Sequence, residues 1–180
     1  MPTTPTRFIL TGFMGSGKST IGRLLATELH YAFLDLDTLI EQRTSKTVPE
    51  IFATEGEPAF RIHESAALAA ALAHAHTVIA LGGGAPEILA NRETLAASPD
   101  TAVIYLAAPF ATLYDRCVQQ AADPTATTRP NMITRDHAEI RFTRRQPHYT
   151  ALATHIIESA NLTPAETIAA ILKQVASNQQ

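Results

Sequence analysis

Cysteine is nearly missing from this chain of 180 residues: Cys117 is the only one. That excludes an internal disulfide and any cysteine-rich metal centre. Positive charge is not in surplus either. Fourteen Lys and Arg stand against seventeen Asp and Glu, a formal net charge of −3, and nucleic-acid partners call for a basic face. The stretch MPTTPTRFIL carries no long apolar run behind a basic start, so no secretory signal is expected. The longest uncharged stretch, Ser65 to Pro86, holds two histidines and breaks at Gly82. It reads as a helix followed by a strand, not as a membrane span. No internal repeat and no interdomain linker is found. What remains is one domain over residues 1–180, expected to be cytoplasmic and monomeric. Its hydrophobic content of 46% and charged content of 17% suit a globular protein. At this length roughly 70% of the unfolded surface can be buried.

Short apolar runs alternate with helix-like segments. RFILTGF (7–13), AFLDLD (32–37), TVIAL (77–81), TAVIYLAA (101–108) and ALATHII (151–157) are predicted strands. Lys18 to His30 has apolar residues at Ile21, Leu24, Leu25 and Leu29, a helical stripe. Thr38 to Thr44 and Val48 to Ala75 are predicted helices, with Gly56 and Pro58 marking a break. Pro109 to Ala121 and Pro164 to Ala176 complete the helices. Strands alternating with helices mean βαβ units and a mainly parallel sheet. Residues 121–134, AADPTATTRPNMIT, have no periodicity and are long for a loop; loops of that kind in compact domains are often lids.

LTGFMGSGKSTIG (10–22) contains Gly12-x-x-x-x-Gly17-Lys18-Ser19, the phosphate-binding loop pattern. The glycines, Gly15 among them, let backbone N–H groups approach phosphate oxygens closely. A helix starting near Lys18 points its positive end at the same anion. Lys18 reaches the β- and γ-phosphates, and the Ser19 hydroxyl ligates Mg²⁺. A predicted strand precedes the loop and a helix follows it. A nucleoside triphosphate and Mg²⁺ are thereby implied, but not an acceptor, since switches, motors and small-molecule kinases share this loop.

Other strand ends carry chemistry of their own. In open α/β sheets ligands bind beyond the carboxyl ends of the strands. Asp35 and Asp37 close the second predicted strand, where alternation would point both carboxylates the same way. One would hold Mg²⁺ through water and the other take the proton of an attacking hydroxyl. Against this, Asp37 would merely cap the next helix. Gly82-Gly83-Gly84 is either a plain turn or a place where backbone meets ligand. Arg61 lies four residues after Glu57, the spacing of a surface ion pair. Arg145 lies in RFTRRQPHY, a basic cluster that taken alone reads as a solvated helix face. Arg129, inside the predicted lid, suits closing over a transferring phosphoryl group. His74, His76 and Cys117 have no partners that suggest a metal site or a nucleophile.

Taken together, GFMGSGKST, FLDLDTLIE, IFATEGEPAFRIHE, LGGGA, TRP and RRQPHY, in this order and spacing, resemble the shikimate kinases. These belong to the nucleoside-monophosphate-kinase-like group of P-loop folds. The resemblance runs from about Phe8 to Leu172. It implies a three-layer α/β fold with a five-stranded parallel sheet in the order 2-3-1-4-5 and a mobile lid. It implies ATP as phosphoryl donor, with Gly15, Ser16, Gly17, Lys18, Ser19 and Thr20 around its phosphates and Ser19 on Mg²⁺. Asp35 would hold that ion through water. Asp37 would bind the ring hydroxyls of shikimate and serve as base. Arg61 and Arg145 would grip the carboxylate, with the Gly83 N–H nearby between Gly82 and Gly84. Phe52, Phe60 and Glu64 would shape the acceptor pocket. Arg129 would swing in with the lid. Arg116 would pack on adenine, and the loop near Asn161 to Thr163 would border it. Lys18, Mg²⁺ and Arg129 would stabilise the transferring group. The family usually has two leucines after the lid Arg-Pro, where this chain has Asn131-Met132. The alternatives are another small-molecule kinase of this fold, such as a gluconate kinase, and a nucleotide-dependent switch. Guanine-nucleotide switches carry Asn-Lys-x-Asp and Asp-x-x-Gly, and neither occurs here.

Overall fold

Apolar strands that can bury both faces need helices on both sides, and the chain supplies them in alternation. A computed structural model describes residues 4–121 and 134–177. In chain order the elements are β1 (Arg7–Thr11), α1 (Lys18–Leu29), β2 (Ala32–Asp35), α2 (Leu36–Thr44), α3 (Val48–Thr54), α4 (Gly56–Leu72) and β3 (Thr77–Ala80). A single 3-10 turn (Ala85–Glu87) follows. Then come α5 (Leu89–Ala96), β4 (Thr101–Ala107), α6 (Phe110–Ala121), α7 (Arg135–Leu152), β5 (His155–Glu158) and α8 (Pro164–Ser177). The strands form one sheet in the order β2-β3-β1-β4-β5, and every pairing is parallel. Both the expected fold class and the expected strand order hold.

Strand alternation divides the core into two layers. Ile9, Ile79 and Val103 face α2, α3, α4 and α5, where they pack with Leu36, Ile40, Ile51, Phe60, Leu68 and Leu95. Phe8, Leu10, Val78 and Ile104 face α1 and α8, against Ile21, Leu25, Ile171 and Val175. A third cluster, with Phe13, Tyr105, Leu113 and Tyr149, fills the space where β1 and β4 end, between α6 and α7. Among the described residues no helix is long and apolar enough to cross a membrane.

Several expected boundaries need correction. β1 stops at Thr11, because Gly12 adopts φ 144° and turns the chain. β2 stops at Asp35, and α2 begins at the next residue. Alternation along a strand therefore does not orient Asp37. Asp35 itself caps α2, its carboxylate accepting from the Asp37 N–H at 3.2 Å. The predicted fifth strand at 151–157 begins too early: α7 runs through Leu152, and β5 starts at His155. α5 is not among the predicted helices, and of α7 only the basic cluster at 141–149 reads as a helix face. The predicted break near Gly56 is real, with Gly56 at φ 82° opening α4. Of the stretch expected to be a lid, residues 122–133 lie outside the described residues.

Ile79 pairs with Ile9 on one side and Leu34 on the other, and it is fully buried. Ile79→Ala should lower the unfolding free energy by about 2–5 kcal/mol through lost transfer energy and a residual cavity. Urea unfolding checks this, with an earlier midpoint at an unchanged slope expected.

Candidate active site

The loop after β1 is shaped by what packs beneath it. A Cβ on Gly15, at φ 75°, would stand 2.3 Å from the Leu113 carbonyl oxygen of α6. No side chain fits there, and α6 holds the loop close. Gly17, at φ 86°, leads directly into α1. The Lys18 ammonium arches across the loop and donates to the carbonyl oxygens of Gly12 and Phe13 at 2.9 Å each. It also lies 3.4 Å from Ser16 Oγ. Thr20 is exposed on the first turn of α1. Ser19 Oγ donates to Asp35 Oδ2 at 2.7 Å. The loop and the end of β2 thus place two hard oxygen donors together. Magnesium takes one or two protein oxygens and completes its shell with water and phosphate, so this pair fits it. Among the described residues no cluster of three His, Cys, Asp or Glu could hold a metal by itself.

The second half of the site forms around the glycine triplet after β3. A Cβ on Gly82 would meet Glu64 Oε1 at 2.7 Å and Asp37 Oδ1 at 3.1 Å. One on Gly84 would meet Arg61 Nη1 and Nη2 at 2.5 and 2.6 Å. One on Gly83 would lie 3.6 Å from Arg145 Nη1, 3.7 Å from the Tyr149 hydroxyl and 3.8 Å from the Gly12 carbonyl oxygen. Side chains from α2, α4 and α7 therefore converge on three adjacent glycines, next to the loop after β1. The triplet is more than a plain turn.

Arg61 makes the expected pair with Glu57 and one more with Glu64. It donates to Glu57 at 2.8 Å, the i,i+4 pair, and also to Glu64 at 2.9 Å. Its guanidinium lies over the Phe60 ring, which stacks on Phe52 with centroids 4.7 Å apart. Glu64 is 1% exposed. Burial pushes its carboxyl up to about 7; the Arg61 charge pulls the other way, and Asp37 pushes it further up. For Arg61, burial draws the pKa down, but Glu64 and Glu57 outweigh it and raise the balance. Arg145 is buried, contrary to a solvated helix face, and its Nε donates to Glu87 at 2.8 Å. Burial pushes the Tyr149 hydroxyl up, so it keeps its proton and donates to the Gly83 carbonyl oxygen at 2.6 Å.

On the other side of the loop, Arg116 of α6 donates to the carbonyl oxygens of Ser159 and Ala160 at 3.2 and 2.9 Å. It thereby ties down the chain just before Asn161, so these two expected nucleotide-side residues are neighbours. Arg129 and Asn131-Met132 lie outside the described residues. Two contributors were missed in the sequence, Tyr149 and Glu87. Tyr149 could have been found, because it follows Arg145 by four residues and shares its helix face. Glu87 gave no signal, because its partners lie 57 and 58 residues away.

Comparison with known proteins identifies the family of the chain. The family model described as Shikimate kinase matches residues 14–176. A shikimate kinase of Streptococcus gordonii is 40% identical over 167 residues, 92% of this chain and 97% of its own. The structure of a shikimate kinase from Acinetobacter baumannii in complex with shikimate has a TM-score of 0.87 at 33% identity, covering 98% of this chain and 96% of that one. A gluconokinase from Sinorhizobium meliloti has a TM-score of 0.68 at 19% identity, covering 98% of this chain and 94% of its own, a likeness of fold alone.

The raised Glu64 carboxyl makes stability depend on pH. From its ordinary value of 4.5 up to about 7, the unfolded chain releases the proton while the folded chain keeps it. Stability therefore falls as pH rises through that window, by up to about 3 kcal/mol. Glu64→Gln should remove this fall. Urea unfolding of both proteins from pH 4.5 to 8 should show the difference moving in the variant's favour; a constant difference would show that Glu64 titrates normally.

Proposed function

The chain belongs to the shikimate kinase family, and on that premise we propose that it transfers the γ-phosphoryl group of ATP to the 3-hydroxyl of shikimate. The products are shikimate 3-phosphate and ADP, on the route to chorismate and the aromatic amino acids. The observation that carries the reading is the convergence of Asp37, Arg61 and Arg145 on Gly82-Gly83-Gly84, beside the loop that follows β1. An acceptor with several hydroxyls and one carboxylate suits one carboxylate and two guanidiniums, since guanidinium forks match carboxylates.

The residues divide the work as follows. Gly12, Gly15, Ser16, Gly17 and Thr20 line the phosphates, and the N-terminus of α1 faces the same charge. Lys18 leaves its carbonyl partners for the β- and γ-phosphate oxygens. Ser19 would hold Mg²⁺ directly and Asp35 through water. When bound, the ion neutralises charge on the β- and γ-phosphates. Arg116 and Asn161 flank the adenine. Arg61, Arg145 and the glycine backbone hold the acceptor carboxylate and fix the ring. Asp37 accepts the proton of the 3-hydroxyl as its oxygen bonds to the γ-phosphorus and the bond to ADP breaks. Arg129 is assigned to the transferring group, on a lid at about 121–134. Positioning and charge stabilisation account for the rate, because the protein makes no covalent intermediate. The same proposal has a single cytoplasmic domain acting as a monomer on small molecules, with neither nucleic acid nor membrane as partner.

A coupled assay of ADP release tests the acceptor. Release should require shikimate; release with gluconate instead, or with no acceptor, would contradict the assignment. Asp37→Asn should keep nucleotide binding and lose turnover by about a hundredfold or more. Near-normal turnover would reduce Asp37 to a helix-start residue. Arg61→Ala should weaken shikimate binding by about 2–5 kcal/mol, as for one partner of a buried charge pair. Titration calorimetry checks this, and unchanged affinity would leave Arg61 as the partner of Glu57 and Glu64 only.

A further inference from the structure

Glu87 ends the 3-10 turn that follows the glycine triplet, and its carboxylate is divided between two arginines of α7. Oε1 accepts from Arg144 Nε at 2.7 Å, and Oε2 accepts from Arg145 Nε at 2.8 Å. The two contacts differ in setting. The Arg144 side chain is 60% exposed and the Arg145 side chain 9%. An exposed ion pair contributes little in water, whereas a buried charged hydrogen bond fixes geometry.

The carboxylate stands on a firm base. Asn91 of α5 donates to the Ala85 carbonyl oxygen at 3.0 Å. Arg92 donates to the carbonyl oxygens of Pro86 and Glu87 at 2.6 and 3.0 Å. Every carbonyl of the turn is therefore held by α5 before the Glu87 side chain reaches across to α7. Arg145 is gripped at Nε, the inner edge of its guanidinium. Its Nη1 lies 3.6 Å from where a Gly83 Cβ would be, so the outer edge is turned towards the glycine triplet. Arginine has a long, rotatable side chain, and holding it in its bound orientation removes ordering cost from the binding step.

We propose that Glu87 is a positioning residue of the acceptor site: it holds Arg145 by Nε, so that the Nη edge meets the acceptor carboxylate already aimed. This rests on the reading of Arg145 as a carboxylate ligand. Glu87 acts through Arg145 and touches no reacting atom.

Steady-state kinetics of the full chain with ATP, Mg²⁺ and shikimate test the proposal. Glu87→Gln preserves the shape of the side chain but puts an N–H₂ group where one arginine donates. It should raise the shikimate KM by about ten- to a hundredfold, with kcat and the ATP KM close to wild type. Arg144→Ala should stay near wild type, because Arg145 keeps its oxygen. In Glu87→Gln/Arg144→Ala the amide can turn its oxygen to Arg145, and part of the lost affinity should return. Arg145→Ala serves as the reference. If it raises the shikimate KM and Glu87→Gln does not, Arg145 aims itself and the proposal fails while the reading of Arg145 stands. If neither variant changes the KM, that reading fails and the proposal with it. If Arg144→Ala is as damaging as Glu87→Gln, or if Glu87→Gln lowers the melting temperature and disturbs all three constants together, Glu87 is a tether between the turn and α7, and positioning is overturned.

Discussion

Everything functional in this protein depends on the register of parallel strands. Asp35 pairs with Ala80, Ala80 with Leu10, and Leu10 with Ile104. Residues one or two steps further on must therefore leave the sheet from a single edge. Those residues begin α2, the glycine triplet and the phosphate-binding loop. Parallel strands need crossover connections, and these place helices over both faces. Segments far apart in sequence thus reach one edge without long loops. The hydrogen bond from Ser19 to Asp35 and the closeness of Gly83 to Gly12 both follow from strand order. The apolar layers above and below keep that order fixed.

The meeting place carries more charge than its burial would favour. Arg61 is bracketed by Glu57 and Glu64, and Glu64 is nearly inaccessible. Taking such groups out of water is costly unless they are paired and hydrogen-bonded. Here the pairing has a second effect. The Arg61 guanidinium lies where a Gly84 side chain would start and would have to move to admit one, while a Cβ on Gly83 would be in ordinary contact with Arg145. The Asp37 carboxylate lies beside Gly82, at the other end of the triplet from Gly84, at the start of a helix capped by Asp35. In the proposed reaction this keeps the carboxylate assigned to the ring hydroxyls apart from the cations assigned to the acid.

Local features of this design were legible in the sequence, and remote ones were not. The phosphate-binding loop is contiguous, and each of its residues has a reason to be there. The strand order followed from the resemblance rather than from any pattern. Asp37 was singled out for a wrong reason, because a helix rather than a strand continues after Asp35. The helix from Arg135 to Leu152 was hidden by its composition. Among its buried residues are only Ala138, Arg145 and Tyr149, and Pro147 lies inside it, so no apolar stripe marks it. The fifth strand was placed too early because Ala151 and Leu152 are the apolar end of that helix. Glu87 was illegible because its meaning comes from partners two elements away. Arg61 and Arg145 have no local signature that separates them from surface arginines; only the glycine triplet between them explains both.

In the proposed reaction the γ-phosphoryl group of ATP passes, at this end of the sheet, to a ring hydroxyl of an acid held by Arg61 and Arg145, and ADP leaves. Proton-coupled ³¹P NMR of the chain with ATP, Mg²⁺ and shikimate tests it most directly. The γ-phosphate signal should give way to a phosphomonoester resonance split by one ring proton, with ADP in equal amount. The appearance of inorganic phosphate alone would contradict the proposed reaction, because the phosphoryl group would then have gone to water and not to the acceptor.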